Sequence, residues 1–116
     1  KMNYSQNNTE FPEPEHLALS LSHRDVNLGY FEFVQQRTNG LHSGSPLTIL
    51  SEGLGNSSKQ LVVKYSNNFK GTMETYFAKG YSLYSAKVNF VVYWTSEKSG
   101  KEAKIILPEI YLSKSL

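Results

Sequence analysis

The stretch KVNFVVYWTSEKSGKEAKIILPEIYL, residues 87–112, decides how this chain is read. Val88, Phe90, Val92 and Trp94 alternate with Lys87, Asn89, Val91 and Tyr93, and a side-chain period of two belongs to a strand rather than a helix. The polar run Ser96-Glu97-Lys98-Ser99-Gly100 supplies a turn. Ala103, Ile105 and Leu107 then alternate with Lys104 and Ile106 until Pro108 interrupts the pattern. The segment reads as a two-stranded antiparallel ribbon, which is scaffold and carries little chemistry.

Working back from the ribbon, most of the chain repeats the strand signal. Leu17, Leu19 and Leu21 alternate with Ala18, Ser20 and Ser22, which favours a strand; the helix formers between Glu15 and Leu21 leave a helix near residues 15–25 as the competing reading. After the turn Asn27-Leu28-Gly29, residues 30–36 read as a strand with Phe31 and Phe33 on one face. Residues 38–46 and 52–58 are dense in turn formers and are expected to be exposed loops on either side of a short strand at 47–51. Residues 60–66 form a further strand, with Leu61, Val63 and Tyr65 on one side. Asn67-Asn68 turns the chain, residues 72–79 continue as strand, and Gly80 marks a break or bulge before residues 81–94.

Seven or eight short strands make the expected fold all-β, a two-sheet antiparallel β-sandwich. The alternative is an α+β domain with one N-terminal helix on a curved antiparallel sheet. The expected core is Leu19, Phe31, Phe33, Ile49, Leu61, Val63, Phe77, Val88, Phe90, Val92, Trp94, Ile105 and Leu107. With 116 residues there is room for one core. The polar, Asn-rich residues 1–15, interrupted by Pro12 and Pro14, are expected to be a flexible leader, and residues 16–116 a single domain.

The net charge of +2 conceals an asymmetry, because residues 59–116 carry nine lysines, no arginine and four glutamates. Such a half could meet an anionic ligand or a single-stranded nucleic acid, yet lysine on sheet edges and outer faces is the usual guard against aggregation. The missing arginines also argue against phosphate recognition, which favours the guanidinium fork. With no cysteine, disulfides, zinc ribbons, thiol nucleophiles and iron–sulfur sites are excluded together. No apolar run approaches the roughly 20 residues of a membrane helix. No basic-then-apolar signal opens the chain, which is therefore expected in mature form if exported.

Catalytic signals are weak. His16 and His23 lack the close spacing that places two imidazoles on one metal, so no metal or other cofactor is expected. His23-Arg24-Asp25 resembles a kinase catalytic loop only in those three residues, since Tyr30 stands where asparagine is required. His42-Ser43 suggests a base beside a nucleophile, but sequence neighbours seldom reach that geometry. A small histidine-dependent hydrolase or lyase is thus a minor alternative, and the chain is read as no enzyme.

Two positive features remain. Tyr76, Phe77, Tyr81, Tyr84, Tyr93 and Trp94 are interleaved with Lys79 and Lys87, and tyrosine serves recognition surfaces well because an apolar ring carries a polar tip. From this series Tyr76, Tyr81 and Tyr84, with His42 in its loop, are the expected binding residues. Three N-glycosylation sequons occur, at Asn3, Asn7 and Asn56. The sequence therefore points to a non-catalytic, extracytoplasmic domain for binding, adhesion or assembly with a protein or glycan partner. Strand addition at Leu17, Leu19 and Leu21 is one route to that partner.

Overall fold

The computed structural model describes residues 14–114. All but Pro14 and Glu15 of the expected leader lies outside the described residues, as do the sequons at Asn3 and Asn7. Six strands are found among the described residues: β1 (His16–Ser20), β2 (Thr48–Ile49), β3 (Gly53–Gly55), β4 (Leu61–Lys64), β5 (Tyr81–Thr95) and β6 (Glu102–Lys114). They form two antiparallel sheets of three strands, in the orders β1-β6-β5 and β2-β3-β4. The helices α1 (Leu28–Phe31) and α2 (Asn67–Ala78) and a 3-10 turn (Gln35–Thr38) complete a mostly β molecule.

The ribbon of β5 and β6 is present, with 15 residues in β5 and 13 in β6. Residues directly opposite each other in an antiparallel pair share a face. The core-facing pairs begin as Tyr81 with Lys114 and Leu83 with Leu112, continue as Ala86 with Ile110 and Val88 with Pro108, and reach Val91 with Ile106. β6 alternates without interruption, so the phase changes belong to β5, where Tyr84 and Asn89 are extra residues at bulges. Each bulge moves the inward face by one residue.

This phase change corrects the expected core. Val88 is buried, but beyond Asn89 the residues Phe90, Val92 and Trp94 turn to the opposite face, leaving Phe90 59% and Val92 42% exposed and Trp94 half-buried. Pro108 does not end β6. Its carbonyl accepts a bond from Leu21 N just where β1 stops, so the missing proline N–H breaks no ladder bond. Ile105 and Ile106 are both buried, so this part of β6 is covered on both faces.

Residues 28–38 are helical turns, where the sequence reading places a strand. Asn27 caps α1 by accepting from Tyr30 N, and Phe31 is fully buried while Phe33 is 85% exposed. The Gln35 amide then completes a sheet edge, donating to Lys104 O at 3.0 Å and accepting from Lys104 N at 2.8 Å. Residues 67–78 are likewise helix, not turn and strand. Ser66 Oγ caps Phe69 N at 3.1 Å, and Phe69, Met73 and Tyr76 recur at helical spacing toward the core, which leaves Phe77 exposed.

The segment 52–58, expected as a loop, contains β3, whose three residues are all buried. The loop at 38–46 is tied down, with Thr38, Leu41 and Ser45 buried. Ile49, also expected in the core, is exposed. Phe31, Leu54, Val62, Val63, Ile105, Ile106, Ile110 and Leu112 form one cluster fed by both sheets. Each such side chain contributes about 1.5–3 kcal/mol relative to exposure. Leu17 and Leu19 pack half-buried against this cluster and Leu21 is buried in it. β1 is thus a strand, as expected, and its leucines serve its own domain.

Candidate functional site

The four expected binding residues occupy separate places. Tyr81 is buried, donates to Pro14 O, and meets half-buried Tyr76 edge-on at 5.8 Å. Tyr84, the bulge residue, is exposed on the other face, 6.1 Å from the His16 ring and 6.4 Å from that of Tyr111. His42 is exposed in a turn against the margin of β5. Its Nδ1 lies 3.1 Å from Ser43 O, while Ser43 Oγ donates to Asn89 O at 2.9 Å. The histidine and serine therefore face different partners and form no base–nucleophile pair. The Asn56 amide is also committed: Nδ2 donates to Arg37 O and Gln60 Oε1, and Oδ1 accepts from Ser58 N and Gln60 N.

The turn holding His42 defines where the margin of β5 becomes free. Gly44 N bonds Val88 O at 2.8 Å, Val88 N bonds Ser45 O at 2.8 Å, and Leu47 N bonds Ala86 O at 2.9 Å. That cover stops at Asn89. From residue 90 to 95, β5 is the outer strand of its sheet, with alternate backbone N–H and C=O groups directed away from β6.

The side chains on this free stretch are apolar to an unusual degree for a sheet margin. Phe90 stands opposite Leu107, Val92 opposite Ile105, and Trp94 opposite Ala103. The β6 members of the last two pairs are buried, whereas Phe90 and Val92 remain open to solvent. Tyr93, on the other face beside Lys104, is 65% exposed. Phe33 extends the patch across a hollow of ≈ 440 Å³ bordered by Trp94 and Glu97, and Ser99 Oγ ties the ribbon turn to Glu32 at 3.0 Å. No charged side chain lies between Lys87 and Glu97. Tyr93 and Trp94 are legible in the sequence as part of the aromatic series. Phe90 and Val92 are not, because an alternating pattern gives no sign of a bulge, and Phe33 is not, because its alternation with Phe31 reads as a strand where helical turns form.

A second concavity, of ≈ 530 Å³, lies between α2 and the chain leaving β2, lined by Ile49, Leu50, Met73, Phe77 and Leu83, with Lys70 and Glu74 on the helix side. Tyr65 reaches it, and its buried hydroxyl has no hydrogen-bond partner among the described residues. Burial pushes this phenol up to about 12. Because the folded state holds the proton more tightly than the unfolded chain, whose phenol titrates near 10, the phenol stays protonated in both states below pH 10 and stability does not depend on its titration there. As the pH rises from 10 through 12 the unfolded chain ionises first, and stability is lost over that window. Urea titrations are expected to show wild type losing about 2 kcal/mol more than Tyr65→Phe across that range. At pH 7 the variant is expected to equal or exceed wild type by about 1 kcal/mol, since an unpaired buried group is removed.

On the outer face of the first sheet, the hydroxyls of Tyr111 and Ser20 bond the Glu109 carboxylate and hold it below the usual carboxylate range, with Lys87 4.0 Å away adding attraction. The same bond to Glu109 raises the Tyr111 phenol. Glu109 and Tyr111 are half-buried, Ser20 and Lys87 exposed, and the groups satisfy one another. Among the described residues, no group of three or more histidines and carboxylates could hold a metal ion. No helix among them is long and apolar enough to cross a membrane. No protein-family model, no curated protein and no solved structure matches this chain.

Proposed function

We propose that this chain is a non-catalytic domain for binding and assembly outside the cytoplasm, and that its partner is a protein. One observation carries the reading: the uncharged outer strand at residues 90–95 leaves Phe90 and Val92 in solvent on one face and Tyr93 on the other, with exposed Phe33 across a hollow from Trp94. Contiguous exposed apolar side chains of this kind mark interaction surfaces. A free strand margin adds a row of backbone donors and acceptors that another polypeptide can match. A glycan would need several polar side chains around an aromatic face, and the strip offers few.

The extracytoplasmic setting rests on the cysteine-free β scaffold with its Ser-, Asn- and Thr-rich loops. The scaffold that accompanies this reading is a small two-sheet sandwich, supported by the contribution of β4 and β6 to one core. Strand addition near Leu17, Leu19 and Leu21 would then use only the outer margin of β1, since their side chains are engaged within the domain.

A photo-crosslinking residue in place of Tyr93, on the chain in its native setting, is expected to give a discrete protein adduct that the same label at exposed Ser57 does not. Equal labelling at both positions would overturn the reading. So would a bound glycan whose affinity survives Phe90→Lys.

A further inference from the structure

We propose that the hollow between α2 and the chain leaving β2 is a binding site for a small neutral molecule with an apolar body and one carbonyl oxygen, and that the Tyr65 hydroxyl is the group that takes this oxygen. The inference does not rest on the strip at residues 90–95, since it concerns the opposite end of β5, where Leu83 forms one wall. The bond from Leu47 N to Ala86 O ties the neighbouring chain to this margin, and past it the hollow opens between Ile49, Leu50 and Leu83. α2 supplies the third wall with Met73 and, one turn on, Phe77.

Two observations point to a ligand. The volume of ≈ 530 Å³ falls within the range of about 300–1,000 Å³ usual for small-molecule sites, which are mostly apolar with few polar groups. Ile49 and Phe77 border it at 38% and 47% exposure, so an occupant removes from water apolar surface that the fold itself leaves wet. The second observation is the hydroxyl. Tyr65 is 8% exposed, and its oxygen is buried with no hydrogen-bond partner among the described residues. Buried phenols ordinarily find one, because an unmade bond costs stability. Phenylalanine would fill the same space without the orphaned oxygen. The oxygen is closed to solvent, so a ligand atom gains it as Met73 or Lys70, unbranched side chains on the same hollow, swings aside.

The surroundings of the hydroxyl set the chemistry of the ligand. Below pH 10 the phenol is protonated, so it offers a hydrogen and calls for an acceptor. Burial is the cause of its raised pKa and no cation counters it, so a carboxylate beside the hydroxyl would find no compensating charge. On the helix side Lys70 and Glu74, four residues apart, carry opposite charges that offset each other. A neutral carbonyl meets these conditions and a carboxylate does not.

Molecules of nearly one shape test this: 2-acetylnaphthalene, 2-isopropylnaphthalene and 2-naphthoate. In equilibrium dialysis wild type is expected to bind the ketone, and Tyr65→Phe to weaken it about five- to tenfold while changing the hydrocarbon by less than about twofold. 2-Naphthoate should bind at least about tenfold more weakly than the ketone. Phe77→Lys, at an exposed position, should weaken both neutral compounds and leave the unfolding midpoint in place. A ketone affinity that is unchanged in Tyr65→Phe, or that falls together with that of the hydrocarbon, overturns the proposal. Failure of the ketone to bind, or naphthoate binding equally well, overturns it too. None of these outcomes bears on the Tyr93 adduct, which tests the strip separately.

Discussion

Replacing Gly53 by alanine is expected to destabilise the protein by about 3 kcal/mol or to prevent folding. A Cβ at this position would lie 1.9 Å from Val63 O, 2.9 Å from Val63 C and 3.1 Å from Lys64 Cα. All three obstacles are backbone of the paired strand β4, so no rotamer change can relieve them. Accommodation would require β3 and β4 to separate, which would pull Leu54 and Val63 out of the core that both enter. Gly71→Ala is the matched control. That glycine is exposed within α2 with nothing near its Cβ position, and alanine there should stabilise the helix by about 0.5–1 kcal/mol. Urea unfolding with the midpoint and slope followed together measures both. A Gly53→Ala midpoint equal to wild type would show that the two strands do not lie as close as described.

Phe31→Ala should cost about 4 kcal/mol, whereas Phe33→Ala should change stability by less than about 0.5 kcal/mol. The pair separates two architectures for residues 28–38. In a strand the two rings share a face and the two losses would be similar. In the helical turn that forms here, Phe31 fills the core at 0% exposure while Phe33 is 85% exposed, so only the first truncation leaves a cavity. Equal losses would restore the strand. Phe33→Ala should also weaken whatever binds the strip at Phe90 and Val92 while leaving the unfolding midpoint in place, which distinguishes a surface role from a structural one.

The ribbon of β5 and β6, its turn at Ser96 to Gly100 and the strand at Leu17 to Leu21 are written locally. Alternation and turn chemistry act over a few residues and need no partner to be recognised. The absence of cysteine is equally open to reading. α2 also carries a local signature, since Ser66 before Phe69, Met73 and Tyr76 is a cap followed by a helical stripe, which the strand reading of residues 72–79 does not use.

Which face of β5 is buried could not be read in the same way. One extra residue at Asn89, held by the Ser43 hydroxyl from a distant turn, reverses the face for everything after it, so Phe90 and Val92 become surface while Val91 turns inward. The separation of Phe31 from Phe33 depends likewise on Gln35 docking against Lys104, and the buried strand at Gly53 on the close approach of Val63. Sequence periodicity alone established strands and turns, because the backbone repeat is local. The candidate interaction surface was decided by the tertiary structure, because a bulge sets the phase of a strand and long-range contacts place the bulge.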